Sequence, residues 1–352
     1  MRQLMACLNG DPPGDCRWEE VLALANQSLI TPQLAAAVDH RRSVIPPQVA
    51  GFLDDVRARN IERNRRLWRE LDDAVKALAE AGIVPTLLKG AARWAAWPGD
   101  KPFDRMLSDI DLLIAPSEVE AGVAALSRAG FGIAARYPGP SVHVVAELGR
   151  PQDPGYIDLH QRPPGPPGLS DTPALILRRR PMTLSGRTVM VPDAASQLFY
   201  LLLHDQFHDG GFWRGGFDLR HLIDVAALAH EMTAADRQWL HEACGTSLVR
   251  TALDAILFAA VRLVAASHPG DAGGGAGAWT YRRWLLQYSW PALRLPLAGF
   301  AALLNLPKLR AYRSADIKGR RRVLGDGAQD ETSIIERLGR ARRILSVAPG
   351  KI

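Results

Sequence analysis

The run Asp109-Ile110-Asp111-Leu112-Leu113-Ile114 sets two carboxylates inside an otherwise apolar stretch. Alternate side chains on a β-strand point to one face, so this pattern predicts a strand with both acids projecting together. Ile110 and Leu112 then face a core. Two carboxylates side by side on a rigid strand repel each other unless a cation or a proton sits between them. The chain is therefore expected to build a sheet around this run and to bring positive charge to it, a divalent metal being the simplest source.

Upstream, residues 83–88 form a short β-type run that ends at Lys89-Gly90, and residues 91–97 predict a helix of small and aromatic side chains. Residues 98–102 read as a loop leading to Arg105. Downstream, Pro116-Ser117-Glu118 opens a helix to residue 129, and residues 142–146 and 156–160 predict strands, the second carrying Asp158 between Ile157 and Leu159. A β-α-β-α-β-β order describes a small sheet with helices on it, too short for a doubly wound fold.

Helical texture flanks this unit. Residues 18–39 show helical spacing with a break at Thr31-Pro32, and residues 48–81 predict one long helix whose apolar side carries Phe52, Val56, Leu67, Leu71, Val75 and Leu78. Its arginines (Arg57, Arg59, Arg63, Arg65, Arg66 and Arg69) are expected on a solvated face salted with Glu62, Glu70 and Asp72, and Gly82 closes the helix. The proline-rich residues 162–173 read as a linker or surface loop, and residues 182–184 and 188–191 as a small β patch. From Asp193 onward the sequence reads as helices, interrupted by Gly273-Gly274-Gly275 and including one over 333–345. The expectation is an α+β chain: a helical segment over 1–82, a small mixed-sheet α/β catalytic domain over 83–192, an all-helical domain over 193–307, and a basic tail with a short helix over 308–352.

A net charge of +6 and a pI near 9.5 favour acidic partners without choosing among them. Lys308, Arg310, Arg313, Lys318 and Arg320 to Arg322 carry much of that balance; a solvated tail is expected there, with nucleic-acid contact as the alternative. Three cysteines without a C-x-x-C pair argue against a disulfide scaffold or zinc ribbon. Neither a signal peptide nor a membrane span is expected, and cytoplasmic location is the default.

A strand-to-helix turn with glycine lets backbone N–H groups approach a phosphate, which makes Lys89 and Gly90 candidates for that role. Arg105, four residues before Asp109, is near enough to reach a bound phosphate, and Asp158 is placed to join the acidic pair across the sheet. Three carboxylates on adjacent strands suit Mg²⁺ and two-metal phosphoryl transfer. The order h-K-G, R-x-x-x-D-h-D-h-h and h-D-h-H over residues 87–160 resembles the uncharacterised nucleotidyltransferase family within the DNA polymerase beta-like superfamily, with weaker similarity over 204–224. Lys89-Gly90 stands where the wider superfamily has Gly-Ser. The resemblance implies transfer of a nucleoside monophosphate from an NTP to a hydroxyl or phosphate acceptor, which is a small molecule, a peptide or an RNA end. It implies Asp109, Asp111 and Asp158 as metal ligands for Mg²⁺, with Mn²⁺ as a substitute. Lys89, Gly90, Arg105 and Ser108 would hold the phosphates.

His160 shares a strand face with Asp158 and is expected in the core or behind the acids. His204 and His208 are an i, i+4 pair, but Asp205-Gln206-Phe207 between them lacks the glutamate of H-E-x-x-H. The resemblance makes His204, His208, Arg220 and Asp224 a helical wall facing nucleotide or acceptor; the glycines around Trp213 themselves predict a mobile loop that could serve as a lid. Two other readings compete: a D-x-D glycosyltransferase, disfavoured because only one strand and helix precede the acids, and a catalytically silent nucleotide or nucleic-acid binder, disfavoured by three intact acids.

Overall fold

Seven strands form one mixed sheet in the order β3-β4-β5-β2-β1-β7-β6 in a computed structural model that describes residues 1–97, 101–139, 142–163, 178–245, 247–264 and 275–304. The strands are β1 (Thr86–Leu87), β2 (Ile110–Leu113), β3 (Gly132–Arg136), β4 (Val144–Gly149), β5 (Ile157–His160), β6 (Arg179–Leu184) and β7 (Arg187–Pro192). The acidic strand β2 lies near the middle, parallel to β5 and antiparallel to β1. Every residue of β2 is buried, as an apolar run between two neighbours should be.

Thirteen α-helices surround the sheet among the described residues. They are α1 (Arg2–Leu8), α2 (Trp18–Gln27), α3 (Thr31–Val38), α4 (Pro47–Glu80), α5 (Lys89–Ala95), α6 (Val119–Arg128), α7 (Ala194–Leu202), α8 (Gly211–Arg214), α9 (Leu219–Glu231), α10 (Ala234–Ala243), α11 (Ser247–Val264), α12 (Ala276–Ser289) and α13 (Arg294–Leu304). The α+β class expected from the sequence holds. Residues 98–100, most of the proline-rich segment, the triple glycine to residue 274 and the tail helix over 333–345 lie outside the described residues.

Three local expectations change. α1 and β3 were not anticipated; β3 is short and mostly exposed, with glycine at its start, so alternation gives little warning of it. The 182–191 patch becomes a hairpin, β6 and β7, that joins the same sheet through β1. On α4, Leu67, Leu71, Val75 and Leu78 are buried as expected, but at its start Leu53 is buried in place of Phe52, which is exposed.

Two apolar cores result. One gathers the second half of α4, α5 and α6 against the sheet, with Leu67, Leu71, Leu78, Leu126, Leu112 and Leu159 fully or almost fully buried. The other packs α1 to α3 and the start of α4 against α7 and the helices after it. Leu113, the last residue of the acidic strand, and Leu88, just after β1, belong to this second core. The acids therefore sit where sheet and helices meet. No helix of the described residues is long and apolar enough to cross a membrane.

Candidate active site

Register decides the site. β2 and β5 run parallel with Asp111 opposite Asp158, and β5 and β4 run antiparallel with Asp158 opposite Glu147. Residues paired across strands project to the same face, so three carboxylates form a row across three strands. Asp109 precedes β2 by one residue, is partly exposed, and accepts a hydrogen bond from Ser108 Oγ at 3.0 Å. Oxygens of Asp111 and Asp158 and a ring nitrogen of His160 all lie within 4.8 Å of one another.

Asp111 is held from two sides. Lys89 Nζ donates to its Oδ1 at 2.7 Å, and His160 Nε2 lies 2.9 Å from the same oxygen. Burial opposes a charge on Asp111, but Lys89 and His160 outweigh it and hold the carboxyl well below its usual range. Burial likewise opposes the Lys89 charge, and Asp111 and Asp109 overcome it, raising the ammonium pKa. Burial lowers the pKa of His160, so the ring is neutral and Nε2–H donates to the ionised carboxylate. Its Nδ1 is buried with no hydrogen-bond partner. Lys89 also takes a φ of +44°, a conformation that L side chains rarely adopt and that concentrates at functional positions.

Asp158 is the uncompensated member of the row. Burial, and then Asp111 and Asp109, push its pKa up to about 8. A crowded carboxyl with a deficit of positive charge beside it fits a cation, and an all-oxygen donor set from aspartates fits a hard one such as Mg²⁺. The side chains close enough to share a metal ion as they stand are Asp111, Asp158 and His160, while Asp109, expected as a third ligand, lies outside that group.

Gly90 and Arg105 take positions other than an open phosphate grip. Gly90 is buried, and a Cβ there would come within 2.3 Å of Leu107 Cδ2 and 2.6 Å of an Arg105 guanidinium nitrogen. Glycine is needed because α5 presses on the loop before β2. Arg105 is buried and its Nε donates to Asp224 Oδ2 of α9 at 2.8 Å. Arg220, on the same helix, donates to Asp218 at 2.9 Å; burial opposes its charge, while Asp218, Asp109 and Asp224 raise its pKa. α9 thereby lies close enough to the acids for their charges to interact.

The histidines form a chain rather than a pair. Ring centroids run from His160 to His143 (5.5 Å), His143 to His208 (4.4 Å), His208 to His204 (5.4 Å) and His204 to His221 (6.1 Å). His204 and His208 lie on a π-helical turn, Leu203–His208, in which the Asp209 N–H donates to the His204 carbonyl five residues back. Such turns recur at functional sites. Burial lowers the pKa of His143, and His208 and His160 add to the effect, keeping the ring neutral. His143 and Glu147 escaped sequence analysis. The expected strand over 142–146 stops one residue short of Glu147, and an acid set between Ala146 and Leu148 was the available signal.

α4 supplies the scaffold. Asn64 donates to the carbonyls of Phe103 and Arg105 at 2.8 and 2.9 Å, and Asn60 to that of Asp104 at 3.2 Å. Arg63 donates to Leu107 and, at 2.8 Å, to Pro154, tying together the loops that enter β2 and β5. Arg57 pairs with Asp104 at 2.7 Å. A cavity of about 220 Å³ lies elsewhere, between α11, α12 and α13, and none of the acids lines it.

A family model described as uncharacterised nucleotidyltransferase matches residues 15–265, most of the chain, including the acids and the histidine chain. The chain belongs to that family. The solution structure of the antibiotic-resistance factor ANT(2'')-Ia is similar over 50% of this chain and 90% of that one, at 11% identity and a TM-score of 0.36. No curated protein matches.

Proposed function

We propose that this nucleotidyltransferase moves a nucleoside monophosphate from an NTP to a hydroxyl or phosphate acceptor, with a divalent cation held by Asp109, Asp111 and Asp158. The observation that carries this reading is the Asp111–Asp158 pairing on adjacent parallel strands, with Lys89 on Asp111. The bound cation would neutralise phosphate charge and acidify an acceptor hydroxyl. Lys89 keeps Asp111 ionised beforehand and sets a positive charge beside phosphates that meet the acids. His160 fixes the carboxylate of Asp111 through Nε2, so its oxygens are aimed before substrate arrives. Ser108 orients Asp109. We assign Asp158 to the acceptor side, where the cation it helps to hold would acidify the attacking hydroxyl. His143, His204, His208 and Arg220 wall the acceptor space.

The test is labelled NTP binding with Mg²⁺ or Mn²⁺, followed by mass spectrometry of small-molecule, peptide and RNA acceptors for an added nucleoside monophosphate. Asp111→Asn and Asp158→Asn are each expected to lower metal-dependent transfer by a factor of about 10³ or more. Nucleotide binding indifferent to metal, with both variants behaving like the parent, defeats the proposal. Turnover of a UDP-sugar but no NTP would replace it with glycosyl transfer.

A further inference from the structure

The cavity of about 220 Å³ between α11, α12 and α13 has a buried cation in its wall. Arg283 of α12 is only 2% exposed, and burial alone sets its pKa, pushing it down to about 10 with no acid close enough to restore it. α8, α12 and α13 contain no Asp or Glu, and Asp254, the one acid of α11, is not in the lining. Buried charges are ordinarily paired, because an isolated one is costly to take out of water.

What Arg283 does touch is neutral. Nη2 donates to the Phe212 carbonyl, and Nη1 donates to the Trp213 carbonyl at 3.3 Å and to Gln287 Oε1 at 3.1 Å. Its Cζ stands 5.3 Å from the centre of the Phe212 ring. These contacts clasp the end of α8, whose last carbonyls favour a cation. They supply no full negative charge. Of the five N–H groups of the guanidinium these bonds use at most three, and Nε has no partner among the described residues.

The rest of the wall is mixed. Ser247, Thr251 and Thr280 add hydroxyls, while Phe212, Leu248 and Trp279 add apolar surface. Ala276 and Trp279 are exposed, so the cavity meets solvent beside them. A concave, largely apolar site with a few polar groups and one charge is the usual make-up of a small-molecule pocket. An apolar cavity of about 150 Å³ admits benzene, so this one has room for a ring or a short chain with a carboxylate.

We propose that this cavity binds a small organic monocarboxylate with an apolar body, the carboxylate on Arg283 and the body against Phe212, Leu248 and Trp279. None of Asp109, Asp111 and Asp158 lines the cavity, so the site is additional to the one assigned to nucleotidyl transfer and does not depend on that reading. The planar guanidinium matches a carboxylate in shape as well as charge. A buried water would accept from Nε–H but leave the charge unbalanced. Inorganic phosphate would balance the charge but leave the apolar wall uncovered.

The experiment is calorimetric titration of the full chain with benzoate, hexanoate, benzyl alcohol and inorganic phosphate. The tighter of the two carboxylates is expected to bind one-to-one with a Kd below about 1 mM. Benzyl alcohol, lacking the charge, is expected to bind at least about tenfold more weakly. Arg283→Lys keeps a cation but loses the planar fork, and is expected to weaken the carboxylate about tenfold. Should that variant lose Tm through its contacts to α8, Ala276→Leu serves instead, filling the cavity from an exposed position away from the clasp, with the same loss expected. No saturation by either carboxylate below about 10 mM overturns the proposal, as does equal affinity for benzyl alcohol or full affinity in the folded variants. Phosphate bound more tightly than both carboxylates overturns it in favour of an inorganic anion. Displacement of the carboxylate by NTP with Mg²⁺ also overturns it, since the ligand would then occupy the transfer site.

Discussion

Glu70 sits on α4 beneath the loop entering β5 and is fully buried, with no side-chain donor on its carboxyl oxygens. Burial, then Asp153, pushes its pKa up to about 7. Folding thus favours the protonated acid. From pH 4.5 to 7 the unfolded chain releases a proton that the folded chain keeps, so stability falls across that window and stays low above it. Glu70→Gln is expected to match the parent near pH 4.5 and to exceed it above pH 7 by about 1–3 kcal/mol, checked by urea denaturation across pH. Asp111 has the opposite balance, since Lys89 and His160 supply what burial removes. The acid pair was legible in the sequence because alternation on a strand is a two-residue rule. Lys89 as the ion partner of Asp111 was not, because twenty-two positions separate them and only strand pairing brings them together.

Elements meet at the Arg105–Asp224 ion pair, which joins the loop before β2 to α9 with both side chains buried. Arg105→Ala leaves Asp224 as an unpaired buried charge and is expected to cost about 3–5 kcal/mol, whereas Arg105→Met with Asp224→Leu costs much less. A double-mutant cycle in denaturant measures the difference. Gly90→Ala pushes a methyl into Leu107 and the Arg105 guanidinium, with an expected loss of about 1–3 kcal/mol and a fall in nucleotide affinity. Both stability values come from denaturant midpoints, and the affinity from titration. The arginine-rich face of α4 shows how an element's role hides in its sequence. Arg57, Arg63 and Arg66 have the spacing of a solvated face, yet they donate to Asp104 and to the carbonyls of Leu107, Pro154 and Gln152. Their partners are loops from elsewhere in the chain, invisible to helical periodicity.

At the scale of the whole molecule, ligand binding should register as stability. An NTP with Mg²⁺ at about 100 times its Kd contributes about 2.7 kcal/mol, a rise of several degrees in Tm. Chelation by EDTA is expected to abolish the rise, and Asp111→Asn to prevent it, both checked by thermal unfolding. The order β1, α5, β2, α6, β4, β5 and the helical flanks follow from the sequence, β3 and α1 excepted, as do the strand positions of Asp111 and Asp158. These depend on patterns only two to four residues wide, which backbone geometry imposes locally. Tertiary structure alone decided that α1 to α3 share a core with α7 and its successors, that Glu147 aligns with Asp158, and that five histidines run from Asp111 toward α9. Each of these depends on register or packing between distant segments. The opening run Asp109 to Ile114 therefore determined by itself where negative charge would concentrate, because strand alternation is intrinsic to the backbone. Which groups balance that charge was decided by the sheet and the helices that close over it.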